Sequence, residues 1–141
     1  MMDFNMVGSA MALGLSAIGC SIGCCTSGMA CSAAMARTDE MHGKFIGIAS
    51  APSSQIIYGF ILMLLMSQKV EAGTLSPIDS IAIGLFSGLA FFASAVYQGK
   101  VAAAGIEASL KQPSVYGKCW ASVGIIESFA LFAFVFALML M

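Results

Sequence analysis

From Trp120 to Met141 the sequence reads WASVGIIESFALFAFVFALMLM, and Glu127 is its only charged side chain. A run this long and this apolar reads as a membrane-spanning helix, the form in which every backbone group is satisfied internally. The carboxylate is then the strongest constraint on the chain. Apolar residues flank it for about two helical turns on its N-terminal side and nearly four on its C-terminal side. A charge at mid-membrane depth costs roughly 2.5–3.5 kcal/mol on insertion scales, and such residues are functional by default.

The rest of the chain belongs to the same class. Of its 141 residues 60% are hydrophobic and 9% charged, against about 25% charged in soluble domains. Spans of about 20 residues with short links use up this length. The expected fold is an all-α membrane protein of four transmembrane helices with no soluble domain. A net charge of −1 argues against a nucleic-acid partner and a polybasic membrane patch. No Gly-rich run ends in Lys followed by Ser or Thr, so the chain has no ATP-binding loop and is no enzyme on its own.

The first apolar stretch, from about Phe4 to Ala36, exceeds the need of one span and predicts a helix projecting from the bilayer. Ala34-Met35-Ala36 has the form of a signal cleavage site. However, Asp3 is the only early charge and the apolar run is too long, so no signal peptide is expected. Gly8, Ala12 and Ser16, then Gly19, Gly23 and Ser27, recur at helical spacing, a pattern that lets helix backbones approach closely in lipid. Cys20, Cys24, Cys25 and Cys31 lie in the same helix and Cys119 near the start of the last. With no His or carboxylate beside them at membrane depth, they read as small apolar filler.

Residues 37–44 (RTDEMHGK) form a polar link holding the only histidine, His42, read as solvated. The second helix, about Phe45 to Ser67, puts Pro52, Ser53, Ser54 and Gln55 inside an apolar span. Pro52 removes an N–H and frees the carbonyl of Ile48, which must be satisfied locally. A broken helix with polar groups at mid-depth is the pattern of cation sites built from freed carbonyls. After a link at Lys69 to Pro77, a third helix from about Ile78 to Ser109 carries Gly84, Gly88 and Gln98, and a link at 110–117 leads to the last. Arg37, Lys44, Lys100, Lys111 and Lys118 lie in or near the first and third links, and only Lys69 in the second. By the positive-inside bias, links 37–44 and 110–117 face the cytoplasm and both termini lie outside.

The chain also repeats itself. MALGLSAIGC at 11–20 parallels IAIGLFSGLA at 81–90, and His42-Gly43-Lys44 parallels Tyr116-Gly117-Lys118. Two helical hairpins in tandem are expected, residues 1–70 and 71–141, related by parallel duplication. Allowing a two-residue difference near Pro52, Gln55 corresponds to Glu127, so two hairpins share one ionisable group.

These residues resemble the duplicated proteolipid, the rotor-ring subunit, of V-type and archaeal-type rotary ATPases. The likeness covers nearly the whole chain and rests on the Gly-rich first and third helices, PSSQIIYGF, YQGKVAAAGI and GIIESFALFAFVFAL. It implies a ring of identical copies among lipids, a central stalk turned by a soluble ATP-hydrolysing head, and a stator membrane subunit whose basic residue meets the carboxylate. More narrowly, the chain looks like the sodium-binding members, whose pattern implies the backbone carbonyl of Ala51, Ser54, Gln55, Gln98 and Glu127 as ligands, with Tyr58 hydrogen-bonding the Glu. Ser54 stands where Thr is more usual in that pattern. The chemistry is consistent: Na+ is a hard cation served by two amide oxygens, a hydroxyl, a carbonyl and a carboxylate. A proton, the alternative cargo, needs only the carboxylate and a donor to it.

The implied mechanism is a neutral, loaded site that can cross lipid and a charged, empty one that cannot. One carboxylate per four helices would carry fewer ions per turn than one per hairpin, at similar subunit numbers. A small four-helix cation or drug transporter using the same buried Glu is the competing reading, but that family carries its Glu in the first helix. A scaffold subunit would have no use for amide, hydroxyl and carboxylate at one depth, and a thiol oxidoreductase would need cysteines near water. Phe129, Phe132 and Phe136 form a stripe explained by packing or lipid contact.

Overall fold

The computed structural model describes residues 4–141, so Asp3 lies outside the described residues. Helix α1 (Val7–Met35) follows a 3-10 turn at Phe4–Met6. The second span is composite: α2 (His42–Ala49), a 3-10 turn at Ala51–Ser53 and α3 (Ser54–Glu71). Then come α4 (Pro77–Lys111), a 3-10 turn at Pro113–Val115 and α5 (Tyr116–Leu140). Four segments are long and apolar enough to cross a membrane, Phe4–Met35, His42–Glu71, Pro77–Lys111 and Pro113–Leu140. The all-α, four-span expectation holds, with the last three spans longer and the links shorter than the sequence indicated.

The helix ends follow from local chemistry. Ser76 caps α4, its Oγ accepting from the Asp79 amide at 3.2 Å, with Pro77 in the first turn. At the end of α3, Gly73 takes a left-handed φ of 71°. The Gly73 and Thr74 amides there return to the carbonyls of Val70 and Lys69 at 3.0 and 2.9 Å. The link expected at 110–117 shrinks because Pro113 starts a turn that runs straight into α5 at Tyr116.

Helix α1 packs most extensively on α4, the third span, rather than on the helices that follow it in sequence. The small residues explain why. A Cβ on Gly23 would fall on the Ala95 carbonyl, one on Gly99 on the backbone of Gly23, and one on Gly19 would lie 2.5 Å from Phe92 Cα. Here two backbones touch, which no larger residue permits. Gly8, Ala12, Ser16, Gly19, Gly23 and Ser27, the small-residue series of this helix, are all buried. Helix α3 lies on α1 and α5 on α4. The buried residues of α5 are only Val123, Ala130 and Ala137, a narrow seam seven residues apart. Phe129, Phe132 and Phe136 are 63%, 57% and 58% exposed, as expected for side chains meeting lipid.

The interior is layered. One apolar cluster joins Cys31, Ala34, Phe45, Ile48, Ala102, Ile106 and Val123, and a second joins Ala12, Leu62, Met66, Phe91, Ala130 and Ala137. On α3, α4 and α5 alike, polar side chains fall between the two clusters: Gln55, then Ser94 and Gln98, then Glu127. Arg37 and Glu107 pair at 3.5 Å towards one end of the molecule. At the opposite end Lys69 Nζ donates to the Met141 carbonyl at 3.1 Å, joining the C-terminal ends of α3 and α5.

Pro52 does break the second span, and the Ile48 carbonyl that it frees is satisfied locally by a backbone N–H at the end of α2. One reading is extended and one corrected: the Ala49 carbonyl also needs a partner, and Ser27 Oγ donates to it at 2.6 Å. Ala49 needs it because the chain tightens to 3-10 geometry, Ser53 N–H bonding Ser50 at 3.1 Å and not Ala49. His42 is half-buried, not free in solvent, and its Nε2 lies 2.6 Å from the Thr38 carbonyl, pinning the first link. All five cysteines are free thiols, Cys20 and Cys31 buried.

Gly23→Ala should therefore destabilise the chain by about 1–3 kcal/mol through overpacking, although Ala is the better helix former by about 1 kcal/mol. Gly43→Ala, where an added Cβ meets nothing within 4 Å, should be neutral or stabilising. Thermal unfolding of the purified variants in detergent checks the pair.

Candidate ion-binding site

Glu127 sits about 16 Å from the start of α5 and about 20 Å from its end, so in a hydrocarbon layer about 30 Å thick it lies well inside. Its Oε1 accepts the Tyr58 hydroxyl at 3.0 Å, and its Oε2 faces Gln98 Nε2 at 3.5 Å. Both donors are neutral. Among the described residues the carboxylate has no ion-pair partner, the Arg37–Glu107 pair being elsewhere.

Tyr58 comes from α3 one helical turn beyond Ser54 and Gln55, so the three share a face. Its ring is held between Phe91 of α4 and Phe134 of α5, centroids 6.3 and 5.8 Å away, which aims the hydroxyl at the carboxylate. Gln98 and Gln55 are both fully buried, and each has to satisfy its amide inside the protein. Gln98 Nε2 also donates to the Val123 carbonyl at 3.1 Å, and its Oε1 accepts from Gln55 Nε2 at 2.9 Å. Gln55 Nε2 gives its other hydrogen to Ser94 Oγ at 3.2 Å. Ser54 Oγ lies 3.1 Å from the Ala51 carbonyl and 3.3 Å from Gln55 Oε1, in donor geometry to both.

The structure thus brings every residue singled out in the sequence into one connected cluster: Ala51, Ser54, Gln55 and Tyr58 from the second span, Gln98 from the third and Glu127 from the fourth. Its oxygens keep unused lone pairs, since an amide or backbone carbonyl accepts twice and a carboxylate about four times. The 3.5 Å contact between Gln98 and Glu127 is the loosest in the cluster. No three His, Cys, Asp or Glu side chains converge among the described residues. A cation here would be held by one carboxylate and neutral oxygens, a donor set suited to a hard ion and not to zinc or copper.

Two participants were missed in the sequence. Ser94 Oγ donates to the Ile126 carbonyl at 2.9 Å while accepting from Gln55, so it touches both neighbouring helices. Its one signal was position: four residues before Gln98, it falls on the same face of α4. The Val123 carbonyl, four residues before Glu127, gave no signal beyond that spacing.

The chain is similar to known proteins along its whole length. The profile of the ATP synthase C-subunit family matches the chain twice, at residues 7–66 and 81–140. The chain is 30% identical over 135 residues to the A-type ATP synthase subunit K of Methanocaldococcus jannaschii, covering 96% of this chain and 60% of that protein. It is 32% identical over 148 residues to the V-type sodium ATPase subunit K of Enterococcus hirae, covering 99% of this chain and 90% of that protein. The chain thus spans under two thirds of the archaeal relative's length and nearly all of the bacterial one's.

Tyr58→Phe keeps the ring packing and removes one hydrogen bond to a charged group, worth about 1.5–3 kcal/mol. The Glu127 carboxylate should then react with a hydrophobic carbodiimide about tenfold faster or more, read by mass spectrometry of the Glu127 peptide.

Proposed function

We propose, from the premise that this chain belongs to the ATP synthase C-subunit family, that it is the ion-carrying rotor subunit of a rotary ATPase and that its cargo is Na+. The observation that carries the reading is the state of Glu127: an acid inside the membrane, held by two neutral donors, with no basic partner among the described residues. Such a group is stable in lipid only when a cargo cation neutralises it.

The ligands are the Ala51 carbonyl, Ser54 Oγ, Gln55 Oε1, Gln98 Oε1 and a Glu127 oxygen, with Tyr58 steadying the carboxylate. The break at Pro52 serves the site by tightening the backbone next to Ala51 and Ser54. Sodium rather than a proton is favoured by the neutral oxygens: a proton would need only Glu127 and its donors, leaving Ser54 and Gln55 redundant. The Enterococcus relative, described as belonging to a sodium ATPase, supports the same choice.

Transport follows from charge. With Na+ bound the site is neutral and passes through lipid as a ring of identical copies turns. Where a stator subunit presents a basic residue, the carboxylate can release its ion and stand charged until it is reloaded. The hairpin of residues 1–70 supplies neutral ligands and the hairpin of residues 71–141 supplies the charge. The ATP chemistry belongs to the soluble head, coupled through a central stalk. Links 37–44 and 110–117 face the cytoplasm and that stalk.

Glu127→Gln should insert and assemble but move no ions in reconstituted vesicles. Raising Na+ at fixed pH should slow carbodiimide labelling of Glu127. Undiminished transport by the variant refutes the role of Glu127, and labelling indifferent to Na+ assigns the site to protons.

A further inference from the structure

Ser94 is buried on α4, and its hydrogen bonds reach two other helices, as those of a filler serine would not. Its single hydroxyl hydrogen is committed to the Ile126 carbonyl at 2.9 Å. What remains on the oxygen is acceptor capacity alone, and Gln55 Nε2 takes it at 3.2 Å. The second Gln55 N–H goes to Gln98 Oε1 at 2.9 Å. Both hydrogens of the Gln55 amide are therefore spent on α4, and its oxygen is turned the other way, to Ser54 Oγ at 3.3 Å and so towards the Ala51 carbonyl.

Reversing that amide would set its oxygen against Gln98 Oε1, two acceptors face to face. It would also leave Ser94 facing an acceptor with its hydrogen already given to Ile126. From this geometry we propose that Ser94 is a positioning residue for cation selectivity. Together with Gln98 Oε1 it fixes which end of the Gln55 amide faces the Ser54–Ala51 oxygens, and so makes the site a cage of oxygens that accepts a metal cation. With the Ser94 contact gone and Gln98 alone opposing reversal, an N–H would point at the ion for a larger part of the time and repel it. A proton on Glu127 is indifferent to this orientation, because among the described residues the hydrogen bonds to the carboxylate come from Tyr58 and Gln98 and not from Gln55. The inference rests on the sodium reading above, but it concerns a residue that never touches the ion.

Space allows a clean test. Ser94 borders a surface groove of about 360 Å³ lined also by Ala90, Ala93, Tyr97, Ile126 and Phe129, so the extra methyl of threonine has somewhere to go. In membranes carrying the full-length chain, the Na+ concentration that halves the carbodiimide labelling rate of Glu127 is measured, each variant relative to its own sodium-free rate. Ser94→Ala should raise that concentration about tenfold, the equivalent of one hydrogen bond. Ser94→Thr, which keeps the hydroxyl, should restore it to within about threefold. If Ser94→Ala fails to insert, Ser94→Cys, close in volume and a weak donor, takes its place with the same expectation.

The proposal is overturned if the alanine variant is protected at the wild-type Na+ concentration. It is equally overturned if alanine and threonine shift protection alike, for then packing and not the hydroxyl is responsible. Wild-type labelling that ignores Na+ altogether defeats the sodium reading itself, and this proposal with it.

Discussion

A carboxylate inside a membrane must be given partners by the protein, and here they come from other helices. Tyr58 reaches Glu127 from the second span and Gln98 from the third, so the acid on α5 depends on how α3 and α4 are placed. That dependence explains the layered interior. Apolar clusters above and below hold the three helices in register, and the polar layer between them satisfies itself through one continuous hydrogen-bonded network. In a low-dielectric setting such a network is strong when complete and costly when any member is missing.

The placement of α3 and α4 depends in turn on α1, which carries no ligand in the proposed site. Its glycines bring α4 to backbone contact, and Gly59 lets α3 settle against Ser16 and Ala12. Ser27 adds a second service by donating to the Ala49 carbonyl, next to the break at Pro52. A helix that looks like bland small-residue packing thus fixes the position of the Ala51–Ser54 turn and, through α4, of Gln98 and Ser94. Helix α5 is the least enclosed of the spans, with only a narrow buried seam, and it carries the one acid of the polar layer. Its half-buried carboxylate therefore lies closer to the surface than Gln98, which is fully buried.

Much of this was legible in the sequence because polar residues are conspicuous in an apolar background. Glu127, Gln98 and the Pro52–Gln55 segment each stood out against twenty or so hydrophobic neighbours, and the turn spacing from Ser54 to Tyr58 put them on one face. The small-residue series of α1 was visible for the same reason. Its partner was not, since spacing shows that a helix can pack closely but not against which neighbour. Ser94 was hidden because serine is common in membrane helices, where it usually bonds its own backbone; Ser109, bonding Gly105 at 2.7 Å, does so here. The local satisfaction of the Ile48 carbonyl was legible from Pro52, but the need of Ala49 for Ser27 was beyond reach, because it depends on the local tightening of the backbone and on Ser27 arriving from elsewhere. The sequence repeat pairs Gln55 with Glu127, and in the structure both contact Gln98. One hairpin offers a neutral amide where the other offers the charge, so a pair of hairpins surrounds a single site.

The central claim is that each chain holds one cation on Glu127 with neutral oxygens around it. Equilibrium binding of radioactive Na+ to the purified chain tests this most directly. One ion per chain is expected, with binding abolished in Glu127→Gln and weakened in Gln98→Ala. No saturable binding to the native chain, or binding that survives the loss of Glu127, would contradict it.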